Sequence, residues 1–147
     1  MMSKTQKGVT LLELMIVVAI IAIISAFAYP SYMQYVVNAK RTVATSALLQ
    51  IADRQQQFFM DNKSFTADLT ALGFAASPLV LADDGNATVA GDGDAVYSIA
   101  MSNVAATTYT ITATPLHGQA SRDVDCASLT LTQAGARGNS AGGSDCW

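Results

Sequence analysis

Between Val9 and Tyr29 only Thr10, Glu13 and Ser25 interrupt a run of 21 residues that is otherwise apolar, and this run limits every later choice. As an α-helix rising about 1.5 Å per residue it is roughly 31 Å long, close to the roughly 30 Å hydrocarbon core of a bilayer. The segment can therefore span a membrane. Its presence makes part of the chain's 51% hydrophobic content local. The rest of the 147 residues suits one compact domain. Lys4 and Lys7 precede the run and every acidic residue follows it or lies within it, so the short N-terminal flank stays in the cytoplasm and the remainder crosses outward. Without residues 1–8 the chain keeps six Lys/Arg against eleven Asp/Glu and is acidic. Cys126 and Cys146 then lie in an oxidising compartment, where a small domain can use a covalent staple.

An ordinary secretory signal places its apolar stretch before the cleavage site and loses it. Here the short polar stretch Met1-Met2-Ser3-Lys4-Thr5-Gln6-Lys7-Gly8 comes first, and Val9-Thr10-Leu11-Leu12-Glu13-Leu14-Met15-Ile16-Val17-Val18-Ala19-Ile20-Ile21 follows directly. This order resembles the class III leader of type IV prepilins and type II secretion pseudopilins, over about residues 7–35. The resemblance implies cleavage between Gly8 and Val9 by prepilin peptidase, methylation of the new amine and retention of the apolar helix. Glycine before the cut imposes no side chain on a backbone that must lie extended in a peptidase. Val9 stands where the family usually has Phe, and Ala22 where major pilins usually have Gly; both point away from an abundant major subunit.

Glu13 places a carboxylate beside a membrane span, which costs a few kcal/mol and marks a candidate functional residue. Two readings stand. It can be a first-turn acid favoured by the helix dipole. The resemblance instead implies an assembly role, in which it pairs with the N-terminal amine of a neighbouring subunit. Pro30 removes a backbone hydrogen bond and kinks a helix, yet the helical pattern resumes beyond it. Met33, Val36, Val37, Val43, Ala44, Ala47, Leu48, Ile51, Ala52, Phe58 and Phe59 keep an apolar stripe, while Lys40, Arg41, Gln50, Arg54 and Gln57 are polar. The pattern predicts one long bent helix over about residues 9–60, its second half amphipathic.

Asp61-Asn62-Lys63-Ser64 ends that helix, and Gly73, Pro78, Gly85, Gly91 and Gly93 predict a long connecting loop over 61–95, anchored by Phe65, Leu69, Leu72 and Phe74. Residues 97–101, 108–114 and 128–132 alternate with period two, the second with threonines on one face. An α+β fold follows: a long helix packed on a small antiparallel sheet. Cys126 and Cys146 bracket a Gly-rich stretch too poor in apolar residues to hold itself, so a staple is useful there, although free buried thiols are an alternative. The arrangement ending in Asp145-Cys146-Trp147 resembles the disulfide-bounded D-region of PilE-type minor type IV pilins, which implies a Cys126–Cys146 bridge closing a C-terminal loop.

Catalytic and metal chemistry finds little support. His117, in Pro115-Leu116-His117-Gly118, has no clustered ligand partners and reads as a solvated loop residue. Asp83-Asp84-Gly85-Asn86 and Asp92-Gly93-Asp94 match no EF-hand spacing and read as solvated turns. No cofactor, metal or enzymatic activity is expected. The resemblance implies a leader at 1–8, a transmembrane and assembly half-helix at 9–32 and a head at 33–147. It implies a minor pilin with roles in pilus biogenesis, twitching motility and adhesion, whose partners are the inner membrane, the peptidase, the pilus assembly machinery and other pilin subunits. A secretion pseudopilin is the alternative, and so is a DNA-binding pilin for natural transformation. Beyond residue 60 only Lys63, Arg122 and Arg137 face nine aspartates, which disfavours nucleic acid.

Overall fold

A computed structural model of the chain describes residues 9–147; the expected leader 1–8, with Gly8 of the cleavage point, lies outside the described residues. The chain divides into two compact units, the second being Val37–Trp147. Helix α1 spans Leu11–Asn62 and contains Pro30. It ends where Lys63 takes a left-handed φ of 55° and donates its N–H to the Phe59 carbonyl at 2.9 Å.

The second unit is built on a six-stranded, wholly antiparallel sheet: β1 (Leu79–Ala82), β2 (Ala87–Thr88), β3 (Ala95–Ser102), β4 (Thr110–Pro115), β5 (Leu129–Thr132) and β6 (Arg137–Asn139), in the order β2-β1-β3-β4-β5-β6. A short helix α2, His117–Arg122, lies between β4 and β5 in sequence. The threonine alternation of β4 works as expected: Ile111 and Ala113 are buried, and Thr112 stands opposite Thr130 of β5. One face of the sheet meets the apolar stripe of α1, where Ala44, Leu48 and Ile51 join Ile99, Ile111 and Leu129 in a single core. Burying side chains of this size contributes about 1.5–3 kcal/mol each.

Three expectations need correction. The stretch 61–95 is not one long loop: it holds a 3-10 turn at Thr70–Leu72 and strands β1 and β2. Leu79, Val80 and Leu81 are all buried, so β1 is covered on both sides and shows no alternation for the eye to find. The Gly-rich segment after Gln133 also holds a strand, since β6 pairs with β5 and extends the sheet. His117 is exposed, but it opens α2 rather than sitting in a loop; its φ is 44° and its Nε2 lies 3.1 Å from the Ala90 carbonyl.

Candidate functional site

The N-terminal part of α1 begins with a cap. Thr10 Oγ1 accepts the Glu13 N–H at 3.2 Å, which satisfies one of the donors left over at a helix start, and the Thr10 carbonyl accepts the Leu14 N–H at 3.2 Å as the first bond of the regular ladder. The Thr10-Leu11-Leu12-Glu13 spacing is that of a capping box, a signal the sequence carried and the expectations above did not use. Val9, ahead of the helix, and Glu13, in its first turn, are both exposed. Beyond them Leu11, Leu14, Ile16, Ile20, Ile24 and Phe27 are all more than half exposed, and the helix is long and apolar enough to cross a membrane. A contiguous apolar surface of this extent needs lipid or another apolar surface against it.

Within the second unit the notable constellation is polar and buried. Arg41 donates to both carboxylate oxygens of Asp123, from Nε at 2.9 Å and from Nη2 at 2.7 Å. Its Nη1 donates to the Asp145 carbonyl at 3.1 Å and to Asn38 Oδ1 at 3.1 Å. Asp123 also accepts from the Tyr97 hydroxyl at 3.2 Å and from Gln119 Nε2 at 3.1 Å, while Gln119 reaches the Val37 carbonyl at 3.3 Å. The Asp123 hydrogen bond raises the Arg41 pKa, against an opposing effect of burial. Burial raises that of Tyr97, with the Asp123 charge adding to it. The helical pattern identifies Arg41 only as polar; its partners are too far along the chain for any periodicity to reveal. Gln55 is a second omission: its side-chain amide grips the Thr66 peptide, Nε2 donating to the carbonyl at 2.5 Å and Oε1 accepting the N–H at 3.2 Å. Its position four residues after Ile51 on the buried stripe could have marked it as inward.

Cys126 and Cys146 form a disulfide, with Cα atoms 5.5 Å apart. Asp145, the residue before Cys146, is the one whose carbonyl Arg41 holds, so the bridge and the ion pair fasten the same tail. Trp147 donates its indole N–H to the Gly138 carbonyl at 2.9 Å, and the Arg137 guanidinium lies 5.4 Å from its ring centre. Arg122 and Arg137 are exposed. Asp84 and Asp92 are engaged in their own turns, the first by the Asn86 N–H and the second by the Thr88 hydroxyl. Among the described residues no group of three or more His, Cys, Asp or Glu side chains is placed to hold a metal ion. Among the same residues every buried side-chain nitrogen and oxygen has a hydrogen-bond partner.

Residues 3–29 match the prokaryotic N-terminal methylation motif, and residues 30–130 match the family described as type IV minor pilin ComP, DNA uptake sequence receptor. The chain is 34% identical over 129 residues to the type IV major fimbrial protein FimA of Dichelobacter nodosus, covering 80% of this chain and 81% of that protein. It is 38% identical over 77 residues to fimbrial protein EcpC of Eikenella corrodens, covering 52% and 50%. It is 36% identical over 78 residues to the type IV major pilin protein PilE of Neisseria gonorrhoeae, covering 52% and 46%. Against EcpC and PilE the matched part spans about half the length of the relative. The chain belongs to the type IV pilin family, whose members are structural subunits and not enzymes.

Proposed function

We propose that the chain is a minor type IV pilin, made as a prepilin with a leader at 1–8, a membrane and assembly half-helix at 9–32 and a head at 33–147. Prepilin peptidase cuts between Gly8 and Val9, the Val9 amine is methylated, and the subunit rests in the inner membrane as a single span. The pilus assembly machinery then moves it into an extracellular filament with other pilins. The observation that carries this reading is the match of residues 30–130 to a minor-pilin family, joined directly to the methylation motif at 3–29. The exposed apolar surface of α1 supports it, since such a surface suits lipid first and like helices afterwards. In the filament Glu13 pairs with the N-terminal amine of a neighbour, because a carboxylate packed among apolar helices needs a cationic partner. Pro30, which withdraws one helical N–H, lets α1 bend as it packs.

Two measurements test the proposal. Intact-mass analysis of protein from peptidase-positive cells gives a chain starting at methylated Val9; a start after Ala26 would refute it. At matched expression, Glu13→Leu lowers the ratio of subunit in sheared filaments to subunit in membranes, with insertion intact. An unchanged ratio leaves Glu13 only the first-turn role that its cap with Thr10 already supports.

The description of the matched family as a DNA uptake sequence receptor supports a second reading, in which the head captures DNA. Exposed Arg122 and Arg137 are its candidate phosphate contacts. Salt-sensitive DNA binding by the head, lost on Arg122→Ala with Arg137→Ala, would favour this reading; no binding at low salt would remove it.

A further inference from the structure

The three tyrosines that close the apolar part of α1, Tyr29, Tyr32 and Tyr35, are 67%, 63% and 71% exposed. They precede the second compact unit, which begins at Val37. Their spacing of three falls about 60° short of a full turn at each step, so the rings fan across one side of the helix along about 9 Å of its axis. That depth is comparable with the roughly 5–8 Å of headgroup layer on each side of a bilayer. From Glu13 to Tyr32 the helix rises about 29 Å, nearly the roughly 30 Å of the hydrocarbon core. With Thr10 and Glu13 at one headgroup layer, the tyrosines therefore reach the other. Polar residues Ser31, Gln34 and Asn38 set in over the same stretch, whereas Ala26-Phe27-Ala28 before it carries no polar side chain. A phenol ring buries apolar area while its hydroxyl needs a hydrogen-bond partner, and the headgroup layer supplies both environments within one side chain's length.

We propose that Tyr29, Tyr32 and Tyr35 form an aromatic anchor in the outer headgroup layer of a phospholipid bilayer, which sets the depth of the subunit and resists its withdrawal. The proposal rests on the membrane-spanning reading of α1. The full chain is reconstituted in phosphatidylcholine vesicles at low protein-to-lipid ratio, with Trp147→Phe to remove the native indole. A reporter is then placed by Ile20→Trp in one variant and by Tyr32→Trp in another. Lipids brominated near the headgroup or near the acyl ends quench the reporters according to depth. The Ile20→Trp emission is expected to be quenched most by the deep bromines, and the Tyr32→Trp emission most by the shallow ones. A Tyr32→Trp reporter that matches the deep profile, or escapes quenching while Ile20→Trp is quenched, overturns the anchor and leaves the span standing. Absence of quenching at both positions refutes the span itself, and the anchor with it. In the Ile20→Trp chain, replacing all three tyrosines by Ala is expected to shift the quenching maximum away from the deep bromines; an unshifted maximum overturns the depth-setting role.

Discussion

Replacing Arg41 by Met strands a carboxylate. The Asp123 side chain has no exposed surface, while the Arg41 side chain retains 13%. Without Arg41, Asp123 loses both charged donors and keeps only the Tyr97 hydroxyl and Gln119 Nε2, with no route to water. Breaking a buried pair in this way costs about 3–5 kcal/mol. For a head of about 110 residues that is a fall in Tm of roughly 12–20 °C. The reverse change is milder. Asp123→Asn leaves the charge on a side chain that can turn toward solvent and keeps an acceptor for Tyr97 and Gln119, so about 2 kcal/mol is expected. Arg41→Met combined with Asp123→Leu strands neither charge and should be less damaging than Arg41→Met alone, because an apolar pair of matching volume is often neutral in such a site. Thermal and urea unfolding of the soluble head, followed by circular dichroism, reads all three. A loss under about 1 kcal/mol for Arg41→Met, as for a surface pair, or a larger loss for Asp123→Asn than for Arg41→Met, would refute the reasoning.

The disulfide closes a separation of 20 residues, so Cys146→Ser should cost the head about 3 kcal/mol, seen as a lower urea midpoint than the oxidised parent. Gln55→Leu keeps the volume but leaves the Thr66 N–H and carbonyl without their partner, for a loss of about 2–4 kcal/mol; a change within error would mean that water replaces the amide. On the acid side, the Thr70 hydroxyl lowers the pKa of Asp68, the Asn86 N–H that of Asp84 and the Thr88 hydroxyl that of Asp92. Their stabilisation is present above the ordinary value of 3.8 and is lost as pH falls through the lowered values, so unfolding free energy should be flat near neutrality and decline below about pH 4. On the alkaline side, burial raises the Tyr97 and Tyr109 phenols above 10.0, so their stabilisation is present below that pH and is lost above it; a Tm constant up to strong alkali would contradict this.

The sequence made the long helix plain because two different patterns, a continuous apolar run and then a 3.6-residue stripe, lie end to end in it. Strands β4 and β5, and β3 from Tyr97 onward, were legible for the same kind of reason, their inward residues alternating with more exposed ones. Strand β1 was not, since Leu79, Val80 and Leu81 are all buried and leave no period to count. Strand β6 was not either: Arg137-Gly138-Asn139 has little intrinsic preference for a strand and becomes one through its pairing with β5. The bridge of Cys126 and Cys146 was expected and is present. The Arg41–Asp123 pair joins residues 82 apart, with only solvated charge to suggest either partner. Local pattern carries no information about such a meeting; it is fixed when the helix and the α2 segment pack together.

A filament subunit is also a load-bearing part, and the position of Arg41 bears on how tension enters it. The second unit opens at Val37, and within its first five residues the helix is tied to the rest of the head by the Gln119 bond to the Val37 carbonyl and by both ends of the Arg41 guanidinium. A pull on α1 from its N-terminal side meets these ties before it reaches the apolar contacts of Ala44, Leu48 and Ile51. Peeling the helix from the sheet therefore breaks the Gln119 bond at the buried Val37 and then, one turn on, a buried ion pair to Asp123, while the same guanidinium holds the carbonyl of Asp145 beside the bridged Cys146. In single-molecule pulling through the N-terminal end of α1, Arg41→Met should lower the first rupture force, and an unchanged force would place the resistance in the apolar core instead.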